Sequence, residues 1–422
     1  MKSKKALLGF YQESLIKNAS LLLISNAILA GFGFVFWVIA ARLFTKSDIG
    51  IATVIFGATA LITTVGLLGL DSGLVRFLGS SANPKHQLES TCALVCTSTT
   101  IVGIAYIVLA PMLSPKLDFI RHDLVDSILL IAFLLVNVIY SLLRATFISK
   151  RRAAFVLTGN FLFSALKVAI LPLLTVFGVM GIISASWIAL LASVALCIVI
   201  LRNKFGMWLR PIYHPGSLGN VRKYATTLFT TGIENSVTQA VLPLVILNHL
   251  GAAKAADYYI VFNVASILGM VSLTTFQALV AEGAHSIHTL GINVHRSAKH
   301  VFVLLLPAVA VLIVAGRYIL LLFGQSYSHQ GIVMLQLLAL GAPLAALNYL
   351  ADAVVNVRQQ NRLFLIMNTL NSGMILLFSI LLVGHGLTGL GAAWLIAQAL
   401  TVVIYAVIMR RDIPNFVRPQ TN

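Results

Sequence analysis

Charge is scarce in this chain. Only 10% of its 422 residues are Asp, Glu, Lys or Arg, against roughly a quarter in soluble domains, which excludes an ordinary water-soluble fold. Acidic residues are the scarcest of all, 12 against 29 Lys and Arg, and the formal net charge is +17. Cysteine is limited to Cys92, Cys96 and Cys197, all inside apolar stretches, so they read as small packing residues rather than a disulfide or thiolate metal framework. No GxxxxGK[ST], HExxH, GxSxG or CxxC pattern occurs. Long polar intervals are missing too: none approaches the ~50 residues that an autonomous catalytic or nucleotide-binding domain needs.

Apolar residues fill the space that polar ones leave, at 59% of the chain. They form twelve runs near the length of about 20 residues that crosses a bilayer as a helix: 20–41, 49–70, 91–113, 127–148, 153–177, 181–201, 225–247, 258–280, 301–322, 331–355, 363–383 and 387–409. The first is too long for a signal-peptide core and is read as a retained span. Runs this long and continuous do not suit barrel strands, and unpaired backbone is not tolerated in lipid. The expected fold is all-α and integral to the membrane, with twelve transmembrane helices.

The basic residues fall on alternate sides of these runs. Of the 29, 22 lie in one set of intervals, from Lys2 to Arg418, six in the other set, and Lys167 lies within a run. By the positive-inside rule both termini are cytoplasmic in a cell membrane, and most of the excess charge reports topology and contact with anionic lipid, not nucleic acid.

The longest interval, 202–224, is basic and contains Pro211 and Pro215. It divides the chain into a six-helix lobe over 1–201, a cytoplasmic linker, and a second six-helix lobe over 225–422. The lobes resemble each other. Lys46-Ser47-Asp48 follows the first span of one, Lys254-Ala255-Ala256-Asp257 that of the other, with Asp48 and Asp257 suited to helix N-caps. Gly178, Gly181 and Trp187 precede or open the last span of the first lobe; Gly386, Gly389 and Trp394 do so in the second. Six spans per lobe predict a parallel repeat, an arrangement in which transporters place substrate between the halves. Pro111, Pro172, Pro243, Pro307 and Pro343 lie inside runs and can kink them, for motion or for packing alone.

Ionisable and amide groups inside the runs are the candidate site, because a charge at a helix centre costs roughly 2.5–3.5 kcal/mol on insertion scales. Lys167 lies about 21 Å along the fifth run at 1.5 Å per residue, on a face with Asn160 and Ser164. Glu234 lies about 14 Å into the seventh by the same rise, on a face with Thr231. Asn263 and Gln277 stripe the eighth. These seven are expected to line a hydrophilic substrate cavity; the alternative is that they satisfy one another between packed helices. Arg76, Asp71, Arg144 and Asp352 lie near the cytoplasmic boundary as a candidate gate, with Arg76 suited to phosphate.

The order of several motifs resembles the polysaccharide-biosynthesis oligosaccharide flippases. They are Asn18-Ala19-Ser20, Ala41-Arg42-Leu43-Phe44 with Asp48-Ile49-Gly50, the stretch from Leu68 to Phe77, Leu322-Phe323-Gly324-Gln325-Ser326-Tyr327, Leu335 to Pro343, Arg358-Gln359-Gln360-Asn361-Arg362, and Gly386 to Trp394. The resemblance implies a MATE-like, V-shaped transporter of the multidrug/oligosaccharidyl-lipid/polysaccharide exporter superfamily. Its expected work is to move a polyprenyl-diphosphate-linked oligosaccharide from the cytoplasmic to the outer leaflet by alternating access, without covalent chemistry and without a cofactor. The implied partners are the lipid-linked oligosaccharide, anionic lipids, a coupling ion (proton or sodium) and glycan-assembly proteins. A cation-coupled multidrug antiporter is the competing reading, and a membrane-embedded glycosyltransferase or polymerase a more distant one.

Overall fold

A computed structural model describes residues 2–113, 124–283 and 290–410, with side chains except over 2–16, at 113, over 281–283 and at several positions between 220 and 235. It is 91% helical, and no strand occurs among the described residues. The helices are α1 (Lys2–Leu43), α2 (Lys46–Leu67), α3 (Leu70–Phe77), α4 (Pro84–Leu113), α5 (Leu124–Ser149), α6 (Ala153–Ile170) and α7 (Gly178–Phe205), then α8 (Gly219–Leu250), α9 (Ala252–Gly283), α10 (Leu290–Leu321), α11 (Gln325–Val357), α12 (Asn361–Leu382) and α13 (Gly386–Ile408). Among the described residues nine helical segments are long and apolar enough to cross a bilayer. Two of these, 153–205 and 361–408, each contain two helices, α6 with α7 and α12 with α13; α8 adds the shorter apolar stretch Ser236–Leu250. The protein is integral to the membrane.

Three local readings of the sequence are corrected. The run 153–177 is not one helix: α6 ends at Ile170, and Leu171–Phe177 is a 3₁₀ segment with Leu174 out of helical geometry at φ −108°, ψ 16°. Pro172 lacks the N–H that α6 needs to continue. The run 49–70 also breaks, because Leu68 and Gly69 both take positive φ (52° and 69°) and α3 starts afresh at Leu70. Finally, neither aspartate is an N-cap. Thr45 caps α2, its hydroxyl oxygen accepting from the Asp48 N–H at 3.2 Å while Asp48 accepts the Thr45 N–H at 3.2 Å, a reciprocal capping box. Asp257 lies six residues into α9 and is wholly buried.

The chain forms two compact units, 1–240 and 241–422, which meet within α8. In the first, α6 packs on α1 and α7, α4 on α2 and α5, and α5 on α3 and α7. The packing depends on small residues that let backbones approach. At Gly159, a Cβ would lie 3.0 Å from the Cys197 sulfur, and the Ser193 hydroxyl donates to the Gly159 carbonyl at 2.7 Å. Asn18 of α1 accepts the N–H of Ala153 at 3.0 Å, capping α6, which has no side-chain cap of its own. In the second unit α11 is central, against α9, α10 and α13, and α12 packs on α13.

The internal repeat is visible in backbone geometry. Apart from Leu68, the described non-glycine residues with positive φ are Arg151 at 54° and Gln359 at 57°. Each ends a helix in the same Schellman pattern: Arg151 N–H to Ile148 O and Arg152 N–H to Phe147 O in one unit, Gln359 N–H to Asn356 O and Gln360 N–H to Val355 O in the other. Gln359 follows Arg151 by 208 residues, and the same offset relates Gly178 to Gly386, at φ 54° and 67°, and Gly181 to Gly389. A Cβ on Gly181 would sit 2.1 Å from the Leu174 carbonyl oxygen; on Gly389 it would sit 2.0 Å from that of Leu382. Each carbonyl lies seven residues upstream. Two segments of different sequence therefore close the same turn against the same kind of backbone obstacle.

That obstacle gives a matched test. Gly181→Ala and Gly389→Ala are each expected to destabilise by about 1–3 kcal/mol through overpacking, lowering the melting temperature and the yield of monodisperse protein on size exclusion. Gly373→Ala, where nothing lies within 4 Å, is expected to be silent in the same assay.

Candidate functional site

Lys167 occupies the last turn of α6, where the helix dipole favours a cation. Because α6 stops at Ile170, the residue lies only one turn from the helix end that faces away from the basic intervals. Its ammonium nitrogen is 4.8 Å from the ring centroid of Phe36 on α1 and 5.0 Å from that of Phe163, one turn earlier on α6. Phe36 is 1% exposed and braced edge-on by Trp37, with ring centroids 5.3 Å apart. Such faces attract a cation through the ring quadrupole. No described carboxylate lies within ion-pair distance of Lys167. Among the described residues, what the cation meets is aromatic surface.

Asn160, two turns earlier on the same face, is buried and fully engaged. It accepts from the Tyr140 hydroxyl of α5 at 2.6 Å and donates to Ser25 of α1 at 2.7 Å. Three helices are thus joined by one amide beneath the lysine. Ser164, between them, is also buried, and its hydroxyl has no partner. The expected face of α6 therefore exists, with Asn160 as its internal support.

On α9 the polar stripe is open. Asn263 is half-buried, while Ser266, Thr274 and Gln277 are exposed. Ser266 donates to the Asn263 carbonyl at 2.7 Å and Thr274 to that of Val271 at 3.0 Å, so both hydroxyls close on their own helix. The side chains of Thr231 and Glu234 lie outside the described residues.

The four boundary residues separate into three environments. Asp71 on α3 and Arg144 on α5 are neighbours: burial pushes the Asp71 carboxyl above its usual range, and the N–H of Ser72, its own N–H and the charge of Arg144 pull it back. The Arg144 Nε is buried without a hydrogen-bond partner. Arg76, at the end of α3, is exposed, with its guanidinium 5.5 Å from the Phe77 ring centroid. Asp352 belongs to a buried network in the second unit. Its Oδ1 accepts from the Tyr405 hydroxyl of α13 and from Asn368 of α12 at 3.1 Å, and one turn earlier Asn348 donates to Gln398 at 2.7 Å.

The structure also joins residues that the sequence left unremarked. Glu89, buried near the start of α4, pairs with His214 Nε2 at 2.8 Å; His86 stacks on the same imidazole at 4.0 Å between centroids. The His214 N–H and the Ser217 hydroxyl both bond Ser90, each at 2.8 Å. The interval after α7 is thereby pinned to α4. An acid in the first turns of a span was the available signal, but its partner lies 125 residues away. No cluster able to hold a metal occurs among the described residues.

The family model described as polysaccharide biosynthesis protein matches residues 15–280. The chain belongs to this family. No curated protein matches this member of the polysaccharide biosynthesis family. Its fold is similar to that of solved transporters. An inward-facing multidrug resistance MATE family transporter of the MOP superfamily aligns at TM-score 0.71 and 17% identity, covering 93% of this chain and 96% of that one. An outward-facing structure of such a transporter gives 0.64 at 14%, covering 96% and 97%. A MOP superfamily transporter from Pyrococcus furiosus, described as having a binding pocket of reversed polarity, gives 0.62 at 16%, covering 96% of each chain. At these identities the likeness is one of fold.

The polar triad on α6 makes contrasting predictions. Asn160→Ala strands the Tyr140 and Ser25 hydroxyls in the core and is expected to cost about 1–3 kcal/mol, read as a fall of several degrees in melting temperature. Ser164→Ala removes a hydroxyl that has no partner, so the melting temperature is expected to hold or rise.

Proposed function

We propose that this protein is a twelve-span flippase. It moves a polyprenyl-diphosphate-linked oligosaccharide, such as an O-antigen, capsule or exopolysaccharide repeat unit, from the cytoplasmic to the outer leaflet by alternating access. The observation that carries this reading is the cation at Lys167, which faces two aromatic rings and meets no carboxylate among the described residues. A lysine in lipid-depth packing with no carboxylate among the described residues to balance it costs stability, and the aromatic faces of Phe36 and Phe163 recover only part of that cost. Its use is to attract a mobile anion, and a lipid diphosphate or an acidic sugar is the anion that a polysaccharide-biosynthesis membrane protein handles. Family membership supports the cargo class, and similarity to transporters solved in inward- and outward-facing forms supports the mode of action.

Twelve spans follow if α3 is set aside as a short boundary helix and each of the remaining twelve helices crosses once, which leaves both termini cytoplasmic. Asn263 and Gln277 on α9 serve as amide contacts for sugar hydroxyls. Glu234 and Thr231 complete the polar lining, with Glu234 the candidate for proton or sodium coupling. Asp71, Arg76 and Arg144 are the gate residues of the first unit, while Asp352 serves the buried network of the second. The cytoplasmic membrane is the expected location, where glycan-assembly proteins supply the cargo.

The decisive assay is translocation of a fluorescent polyprenyl-diphosphate sugar in proteoliposomes. Lys167→Gln is expected to lower the flipping rate at least tenfold with a melting temperature that holds or rises, and Lys167→Arg to retain much of it. Full flipping by Lys167→Gln at equal incorporation removes the cargo role of this residue. A membrane potential of 100 mV, negative inside, is expected to speed the outward step, because two negative charges crossing the full field gain ~4.6 kcal/mol. An unchanged rate on collapse of the potential excludes that drive.

The MATE fold keeps a second reading in view, a cation-coupled multidrug antiporter. Drug resistance on overexpression, abolished by Glu234→Gln and indifferent to Lys167→Gln, is the outcome that would favour it.

A further inference from the structure

The segment 206–218, which joins α7 to α8, is not helical. A clasp on the first turns of α4 fixes its far end. Glu89 is 2% exposed there, and its Oε2 meets His214 Nε2 at 2.8 Å. His86, one turn earlier on α4 and exposed, lays its ring on the same imidazole, with centroids 4.0 Å apart and planes 13° from parallel. Beside this titratable contact stands a neutral one. The Ser90 hydroxyl oxygen accepts the His214 N–H and the Ser217 hydroxyl, each at 2.8 Å, and Ser90 is wholly buried. One histidine of the segment is thus held by its backbone, by an edge of its ring and by a face of it.

The three titratable groups of the clasp set the sign of its response to protons. Histidine changes charge between about pH 5 and 8. One proton on the imidazole pair strengthens the clasp, because a cation then meets the Glu89 carboxylate in a charge-assisted bond while a neutral ring stacks upon it. Every further proton weakens it. A second on the pair sets two imidazolium ions face to face at 4.0 Å, and the one on His86 stands in the first turn of α4, at the positive end of the helix dipole. A proton on Glu89 removes the counter-charge. Of the other cations on these elements, Arg202 and Arg210 lie over the Trp208 ring at 4.5 and 5.6 Å from its centroid, and Lys85 and Lys204 are exposed. The side chains of Arg222 and Lys223 on α8 lie outside the described residues.

We propose that this clasp is a pH-operated release. With one proton on the imidazole pair the segment is held against α4; acid on that side of the membrane opens the pair and frees it. The segment leads directly into α8, the helix within which the first unit gives way to the second, so its release loosens the start of that helix. The inference does not depend on the flippase reading, since it uses contacts within the first unit and involves neither Lys167 nor cargo.

Hydrogen–deuterium exchange of the full-length protein, followed in the segment at pH 7.5 and pH 5.0 and corrected for intrinsic exchange, tests it. The lower pH stays above the ordinary range of glutamate, so the comparison reads the imidazoles. Wild-type protection at the His214 and Ser217 amides is expected to fall at least tenfold from the higher pH to the lower. His86→Phe keeps a ring to stack but cannot take the second charge, and its protection is expected to fall less than threefold. His86→Gln, also neutral, is expected to show the same shallow fall. Ser90→Ala removes only the neutral contacts and is expected to lower protection at both pH values while keeping the wild-type ratio between them. Melting temperature at pH 7.5 checks that each variant is folded. The proposal fails if wild-type protection is equal at the two pH values, or if the His86 variants lose protection as steeply as wild type does.

Discussion

Lipid cannot hydrogen-bond, and that constraint governs every polar group in this protein. In water an unpaired amide or hydroxyl finds solvent; in hydrocarbon it must find protein or remain unsatisfied at a cost of several kcal/mol. The constraint explains why the described backbone is helix almost throughout. It also divides the polar side chains into two populations. Asn160, Ser193, Asn348, Asp352, Asn368 and Tyr405 are matched to partners on neighbouring helices and so act as the specific fastenings between spans whose surfaces are otherwise interchangeable Leu, Ile and Val. Lys167 and the open stripe of α9 are not matched in this way, and an unmatched polar group in such a setting is available to something that comes and goes.

The membrane-spanning character and the twofold internal plan were legible in the sequence because both depend on gross features, run length and the recurrence of paired glycines. The breaks within runs were harder to read. Pro172 was visible, but proline inside a membrane helix often only kinks it; here the following residues tighten into a 3₁₀ segment and the helix ends. The capping of α2 was misread because aspartate and threonine both cap helices, and only backbone geometry assigns the N-cap to Thr45 and the third helical position to Asp48. Partners were not legible at all. The bonds Asn160–Ser25, Asn348–Gln398 and Glu89–His214 each join residues at least 50 positions apart, and a single chain carries no signal for which amide faces which hydroxyl.

Seen through the 208-residue offset, the polar residues of α5 to α7 acquire counterparts. Asn160 corresponds to Asn368, Ser164 to Ser372, Ser193 to Thr401 and Arg144 to Asp352. The residue types recur, amide for amide and hydroxyl for hydroxyl, while their partners differ: Asn160 meets Tyr140 and Ser25, whereas Asn368 meets Asp352. Charge is reversed at one of these positions, where one unit holds Arg144 and the other Asp352, and kept at another, Arg202 against Arg410. The two units thus reuse polar residue types at matching positions and put them to different partners.

Lys167 is the sharpest case. The same offset places it opposite Ile375, which is 7% exposed and packed like any core residue of its unit. The corresponding position of the second unit therefore accommodates an aliphatic side chain in its packing. A lysine there gains nothing in packing that isoleucine lacks, adds the cost of a charge away from water, and faces two phenylalanine rings with no counter-ion among the described residues. Structure alone gives no reason to keep it. An anion that visits the site does, and the asymmetry between two otherwise corresponding helices is then the mark of where cargo, rather than folding, set the sequence.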